Sequence, residues 1–145
     1  MFEIVEKLCA SFGVSGNEEE IRETIKSEIE GRVDLIYTDV LGNLIAVKKG
    51  SGKKVMLAAH MDEIGLIVTH IDENGFLRFS NLGGISPFYL IAQRVRFING
   101  VCGTVFYEQK LKEMKNLKIS KMYIDAGFRS REEAEKKIRI GDVAK

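Results

Sequence analysis

The feature that most constrains this sequence is a short apolar run, Val55–Ala59, which ends directly in His60-Met61-Asp62-Glu63. The run lacks the polar alternation of a half-exposed strand and is preceded by glycine and lysine. This pattern predicts a short strand that is buried on both faces. Strands of this kind belong to α/β sheets, in which ligands bind at the carboxyl ends of the strands. The run therefore predicts an α/β domain whose functional residues begin at His60.

His60 and Asp62 are the candidate site residues at the end of this strand. Successive side chains of an extended chain point to opposite faces, so these two share one face and Met61 points to the other. A neutral imidazole can ligate a metal through one ring nitrogen, while a neighbouring carboxylate fixes its tautomer and orientation. The alternative is a capped strand end with a solvated carboxylate, because His-x-Asp also occurs by chance. The pair by itself leaves both interpretations open.

Two helices are predicted ahead of this strand. Apolar residues at helical spacing indicate an amphipathic helix over residues 2–10. A second helix is expected over about residues 17–30, because Ser15 and Glu18 have the spacing of a capping box and isoleucine follows at every fourth position. The isoleucines of this expected buried stripe are Ile21, Ile25 and Ile29.

Short strand-like runs separated by turn residues make up most of the remaining sequence. Asn99-Gly100 lies between two such runs and is a strong hairpin signal. Evenly spaced short strands of this kind predict a small β-barrel or sandwich. Ser130-Arg131-Glu132-Glu133 is a second capping box, which should open a helix of about eight residues. The charged stretch 109–118 is predicted to be a surface excursion. The predicted strands are 33–38, 43–48, 64–71, 76–80, 93–98, 101–107 and 122–125, and residues 138–142 are expected to return the chain to the barrel.

Other titratable residues are predicted to have structural roles. His70 lies in the middle of a predicted strand, so a structural or surface position is expected for it. Asp125 and Asp142 are interpreted as turn or cap residues rather than metal ligands. Glu63 is the nearest candidate for a second carboxylate beside His60.

Composition excludes several classes of function. The 22 basic and 21 acidic residues are interspersed and give a net charge of +1, so no nucleic-acid-binding face is expected. No apolar run approaches the roughly 18 residues that span a bilayer, and the N-terminus lacks the pattern of a signal peptide. Cys9 and Cys102 are expected to be reduced, buried thiols of a cytoplasmic protein.

Four stretches, in this order, resemble the tetrahedral (glutamyl-type) metalloaminopeptidases, some of which have been labelled endoglucanases. Ala58–Gly65 resembles the segment that carries the first metal ligand of that family. The other stretches are Ser11–Gly16, Thr38–Leu44, and Ile124–Ala134 together with Gly141-Asp142. The resemblance extends over essentially the whole sequence.

The resemblance implies a fold and a function. Residues 1–64 would be the N-terminal part of a phosphorylase/hydrolase-like α/β zinc-peptidase domain, and residues 65–145 an inserted β-barrel assembly domain. The full-length enzyme would remove N-terminal residues from peptide substrates with two divalent metal ions, zinc or cobalt, in the cytoplasm. His60 would be a metal ligand, and Asp62 would have a catalytic role by holding His60. The barrel would form homo-oligomers, with neither nucleic acid nor membrane as a partner.

The resemblance also implies that these 145 residues hold an incomplete site. In the family, the remaining metal ligands and the general base follow the barrel, whereas this sequence ends at Lys145. The chain alone is therefore expected to bind at most one metal ion weakly and to be inactive. One alternative is a non-catalytic oligomerisation or binding module derived from the family. The last is a glycoside hydrolase, which needs two carboxyl groups across a sugar cleft, and no convincing pair is present.

Overall fold

The computed structural model describes residues 2–108, 115 and 117–145. The chain divides into two compact units, Met1–Asp62 and Glu63–Lys145. The boundary predicted from the sequence lay between residues 64 and 65. The predicted surface excursion at 109–118 falls mostly outside the described residues.

The first unit contains two helices and a β-hairpin. Both predicted helices are confirmed, but the capping box at Ser15 is wrong, because α2 begins after Glu18 without a side-chain cap. The predicted isoleucine stripe is buried only at Ile21. The elements are α1 Phe2–Ala10, α2 Glu19–Ile29, β1 Leu35–Thr38 and β2 Leu44–Val47.

The segment between the two helices packs tightly against the start of α2. Phe12 and Val14 are fully buried. The backbone N–H of Ile21 donates to the carbonyl of Phe12 at 3.1 Å. A Cβ atom at Gly13 would lie 2.8 Å from Cγ2 of Ile21, closer than two carbon atoms can approach. Glycine is therefore required at this position for the segment to seat on the helix.

The β1–β2 hairpin is closed by the turn that follows Thr38. The Asp39 carboxylate accepts hydrogen bonds from the backbone N–H groups of Leu41 and Asn43 at 3.0 and 2.9 Å. Gly42 supplies the positive φ of 89° that the turn requires. The Arg22 Nε atom donates to the Gly42 carbonyl at 3.0 Å, which fixes the hairpin to α2.

The prediction of a buried strand at Val55–Ala59 is wrong. The chain is irregular here, and Val55, Met56 and Leu57 are 82%, 87% and 94% exposed. A strand buried on both faces needs neighbouring strands for its backbone groups and packed layers for its side chains. The described part of the chain pairs no strand with this run.

The second unit is a six-stranded, wholly antiparallel sheet with the strand order β5-β6-β7-β4-β3-β8. A hairpin joins β5 to β6 at Asn99-Gly100, which confirms that prediction. Residues 138–142 return the chain to the barrel as predicted, because Ile138 lies in the core and backbone hydrogen bonds of 2.9 Å join Gly141 and Asp142 to Val68. The last strand follows at 143–144. The elements are β3 Gly65–Ile71, β4 Leu77–Leu82, α3 Pro87–Leu90, β5 Arg94–Arg96, β6 Cys102–Tyr107, β7 Met122–Asp125, α4 Arg131–Glu135 and β8 Val143–Ala144.

The two edges of this sheet meet, so the sheet is a nearly closed barrel. Phe97, just after β5, forms a β-bridge with Ala144 in β8. The backbones of Arg96 and Lys145 exchange two hydrogen bonds, at 2.9 and 3.0 Å. Closure pairs backbone N–H and C=O groups that would otherwise be unpaired at the two edges of the sheet. It also encloses one apolar core. Its fully buried members include Ile71, Leu77, Val105, Ile124 and Ile138.

Local signals in the second unit behave largely as predicted. The Ser130 hydroxyl accepts from the backbone N–H of Glu133 at 3.3 Å, which confirms this cap, although α4 has only five residues. Asp125 and Asp142 accept backbone N–H groups in turns, as expected. His70 is an exposed residue of β3.

The cysteine prediction is partly wrong. Both cysteines are free thiols, as expected, but both are exposed rather than buried. Cys9 lies on α1, and Cys102 is the first residue of β6. Apolar character alone therefore did not determine their burial. No helix among the described residues is long and apolar enough to cross a membrane.

Candidate functional site

The predicted pair of His60 and Asp62 is brought into contact at the end of the first unit. The His60 Nδ1 atom lies 3.1 Å from Asp62 Oδ1 and 3.0 Å from the backbone carbonyl oxygen of Asp62. A carbonyl oxygen only accepts, so a neutral His60 carries its proton on Nδ1. The imidazole is 86% exposed. The lone pair of Nε2 is therefore available to an external ligand.

A third residue, Ser15, completes this cluster from the segment between the helices. Its Oγ atom donates a hydrogen bond to Asp62 Oδ2. The two carboxylate oxygens therefore have different partners, one the serine hydroxyl and the other the imidazole. Ser15 was assigned to a helix cap from its sequence spacing, and its role in the site was missed. The one signal for it was its place in Ser11–Gly16, a stretch that resembles the same family as the His60 segment.

The hydrogen bonds at Asp62 keep its carboxyl group ionised. The Ser15 hydroxyl, and secondarily the His60 imidazole, hold the pKa of Asp62 below its usual range. Both are donors that stabilise the charged form. At neutral pH, Asp62 is therefore a carboxylate that accepts from both neighbours.

The cluster borders a cavity of about 390 Å³ within the first unit. Ile25 and Ile29 from α2, together with Leu41 and Leu44 from the hairpin, form an apolar wall of it. His60 and Asp62 lie among its polar lining, as does Glu18. Its size is in the range of small-molecule sites.

The residues here fit one ligand position of a metal site. His60 offers an exposed Nε2, and the carboxylate on its other nitrogen is the arrangement typical of metal-ligating histidines. A catalytic zinc ion takes about three protein ligands. Among the described residues, no group of three or more His, Cys, Asp or Glu side chains is placed to hold a metal. Glu63, the predicted second carboxylate, belongs to the other unit, where Lys145 Nζ lies 2.9 Å from its Oε1.

Comparison with known proteins identifies a family for the chain. The sequence profile described as "M42 glutamyl aminopeptidase" matches residues 42–145. A provisionally named aminopeptidase of Acetivibrio thermocellus is 65% identical over 99% of this chain, which covers 44% of the relative. The chain thus spans less than half the length of this relative.

Solved structures agree with this assignment. A protein of Thermotoga maritima named as an endoglucanase matches 94% of this chain and 42% of its own, with 41% identity and a TM-score of 0.83. The TET1 peptidase of Pyrococcus horikoshii, described as assembling into a tetrahedron or a large octahedral shell, matches 99% of this chain and 45% of its own. Its identity is 34% and its TM-score 0.85. With a profile match over most of its residues, the chain belongs to the M42 glutamyl aminopeptidase family.

Proposed function

We propose that this chain is the N-terminal part of a cytoplasmic metalloaminopeptidase that removes N-terminal residues from peptides. The observation that carries the proposal is the state of His60, whose Nδ1 is held by Asp62 and whose Nε2 is exposed. This is what a metal ligand requires, and it lies within the stretch that matches the family profile. The remaining length of a family member would complete a phosphorylase/hydrolase-like α/β domain and would cover Val55–Ala59.

The full-length site would hold two divalent ions, zinc or cobalt, and His60 would be a ligand to one of them. When bound there, a divalent ion would supply Lewis-acid polarisation of the scissile carbonyl group. The role of Asp62 is to accept the proton of His60 Nδ1, which keeps Nε2 unprotonated and raises its basicity. The 145-residue chain alone would bind one ion weakly and would not hydrolyse peptides, because one histidine cannot hold a catalytic metal.

The experiment compares the 145-residue chain with the product of the complete reading frame that contains it. Each is purified, loaded with cobalt or zinc and assayed with aminoacyl-nitroanilides. We expect turnover by the product of the complete reading frame, its loss in His60→Ala, and none by the 145-residue chain. If the 145-residue chain showed turnover that His60→Ala abolished, the proposal that this chain alone is inactive would be contradicted. Undiminished turnover by His60→Ala in the complete product would contradict the metal role.

We also propose that the barrel assembles copies of the chain into homo-oligomers. Phe88 and Tyr89, on α3, are 50% and 75% exposed, whereas the adjacent Leu90 is buried in the core. The segment therefore both anchors itself in the barrel and presents two aromatic side chains outward. The tetrahedral and octahedral shells described for the TET1 peptidase support this proposal.

A non-catalytic assembly module is the second candidate. It is favoured by the lack of a three-ligand metal group among the described residues, together with the barrel's own closed core. It predicts oligomers that form without metal and a complete reading frame whose product has no peptidase activity. A glycoside hydrolase function ranks last, because it needs two carboxyl groups that are free to act on a sugar. Glu18 and Asp62 both line the cavity at His60, but Glu18 accepts from the backbone N–H of Gly16, and Asp62 is bound by Ser15 and His60.

A further inference from the structure

The Asp62 carboxylate is held at both of its oxygen atoms. Oδ1 contacts His60 Nδ1 at 3.1 Å, and Oδ2 accepts the hydroxyl of Ser15, which is 47 residues away in the sequence. A carboxylate that makes one hydrogen bond can rotate about its χ2 bond, whereas two partners on opposite oxygens restrict its plane. Ser15 therefore limits the orientations in which Asp62 can meet His60.

The turn that carries Ser15 does not depend on the serine hydroxyl. The backbone N–H of Asn17 donates to the Val14 carbonyl at 2.8 Å, and that of Gly16 donates to Glu18 Oε1 at 2.6 Å. Gly16 has the positive φ, 86°, that lets the chain turn here. Helix α2 begins without a side-chain cap. The hydroxyl is thus not used for local structure and is directed to Asp62.

The orientation of the His60 imidazole depends strongly on its contacts with Asp62, because the rest of its surroundings constrain the ring little. Its side chain is 86% exposed and that of Asp62 is 40% exposed, so water competes for both. The backbone carbonyl of Asp62 and the Asp62 carboxylate are the two acceptors at Nδ1. The first is part of the main chain, while the second is a side chain that needs to be held.

We propose that Ser15 is a positioning residue, whose hydroxyl holds the Asp62 carboxylate where it accepts the proton of His60 Nδ1 and so presents Nε2 to a divalent metal. The metal part of this inference rests on the proposed function. The positioning part concerns only the three side chains and is tested without metal.

The first experiment measures the tautomer of His60 by ¹⁵N NMR on the 145-residue chain, at a pH where the imidazole is neutral. Free neutral imidazoles favour the proton on Nε2, so a majority of the Nδ1–H form at His60 reports its acceptors. The other histidine, His70, lies on the barrel and serves as an internal reference. We expect Ser15→Ala to lower the Nδ1–H fraction of His60 and Ser15→Thr, which keeps a hydroxyl, to restore it.

A double-mutant cycle separates positioning from a general effect on the fold. In the background of Asp62→Ala, Ser15→Ala should leave the His60 tautomer unchanged, because the residue through which Ser15 acts is gone. Ser27→Ala is the matched control, since it also removes a serine hydroxyl from the first unit, in this case one that donates to the Thr24 carbonyl within α2. An unchanged tautomer in Ser15→Ala, or an equal shift with and without Asp62, would overturn the proposal.

The second experiment titrates the same variants with Co²⁺. Loss of a partner that orients a metal ligand usually lowers affinity 10- to 100-fold, so we expect Ser15→Ala to weaken binding about tenfold and Ser15→Thr to recover most of it. Equal cobalt affinity in wild type and Ser15→Ala would overturn the metal part of the proposal. A wild-type chain that holds the Nδ1–H tautomer but binds no cobalt would support the positioning role and contradict only the metal role assigned to His60 under the proposed function.

Discussion

The two units of this chain differ in how completely they bury their apolar residues. The barrel, 63–145, supplies every strand needed to close its own sheet, and its core residues Leu77, Val105 and Ile124 are fully buried. The first unit carries the candidate site, yet its most apolar run, Val55–Ala59, is exposed and irregular. This difference shows that an apolar run becomes a buried strand only when neighbouring strands pair with its backbone; apolar composition alone is not sufficient. The barrel is self-sufficient, whereas the first unit presents an apolar surface of the kind that promotes association.

Limited proteolysis should give the largest contrast between the units. We expect cleavage within residues 53–60 first, because an exposed, irregular segment fits a protease site and a closed sheet does not. The fragment that persists should contain the barrel. Mass spectrometry of a time course identifies the cuts. Early loss of residues 70–108 with an intact first unit would reverse the comparison.

Phe88→Asp or Tyr89→Asp should weaken association of the barrel by about 3–5 kcal/mol, because a charge would be buried unpaired at a contact. Sedimentation velocity at micromolar concentration measures the change. Ser80→Asp, which places the same charge on an exposed position of β4, is the matched control and should have little effect. A wild-type chain that sediments as a clean monomer would remove the basis for the assembly proposal.

Ile124→Ala should destabilise the barrel by about 2–5 kcal/mol, because the side chain is fully buried in the core and its truncation leaves a cavity. Leu57→Ala in the exposed run is the comparison and should change stability by less than about 0.5 kcal/mol. Urea denaturation, followed by amide exchange of residues in the unit that carries each substitution, measures both effects. A large effect of Leu57→Ala would mean that the run is buried in solution.

The smallest effect is expected at the hairpin turn of the first unit. Hydrogen bonds from Asn43 and Leu41 hold the pKa of Asp39 below its usual range. Because the pKa of Asp39 is lowered in the folded state, its ionised carboxylate stabilises the fold. This stabilisation is complete above the ordinary aspartate pKa and is lost as the pH falls through the lowered value. Asp39→Ala should therefore speed amide exchange at Leu41 and Asn43 at neutral pH. The same change should disappear in acid, while barrel amides serve as the unaffected control.

Much of this fold follows from residues that act on their near neighbours. Asn99-Gly100 makes a hairpin because its two residues accept the backbone angles of a tight turn, and Ser130 caps a helix three residues away. The pairing of His60 with Asp62 is of the same kind, since the two are separated by one residue. For such features the sequence alone was a sufficient guide.

Other features were decided only by the tertiary structure. Ser15 has the spacing of a helix cap, yet its hydroxyl reaches Asp62, 47 residues away, because the fold brings that carboxylate within range. Val55–Ala59 has the composition of a buried strand, but burial needs partner strands, and sequence composition does not state whether they are present. The barrel closes through Phe97 and Ala144, distant residues that meet only once the intervening strands have coiled. The sequence by itself determined the contacts between near neighbours. Contacts between distant residues were decided only by the tertiary structure, because closing a long loop costs chain entropy that only the packing of the assembled core offsets.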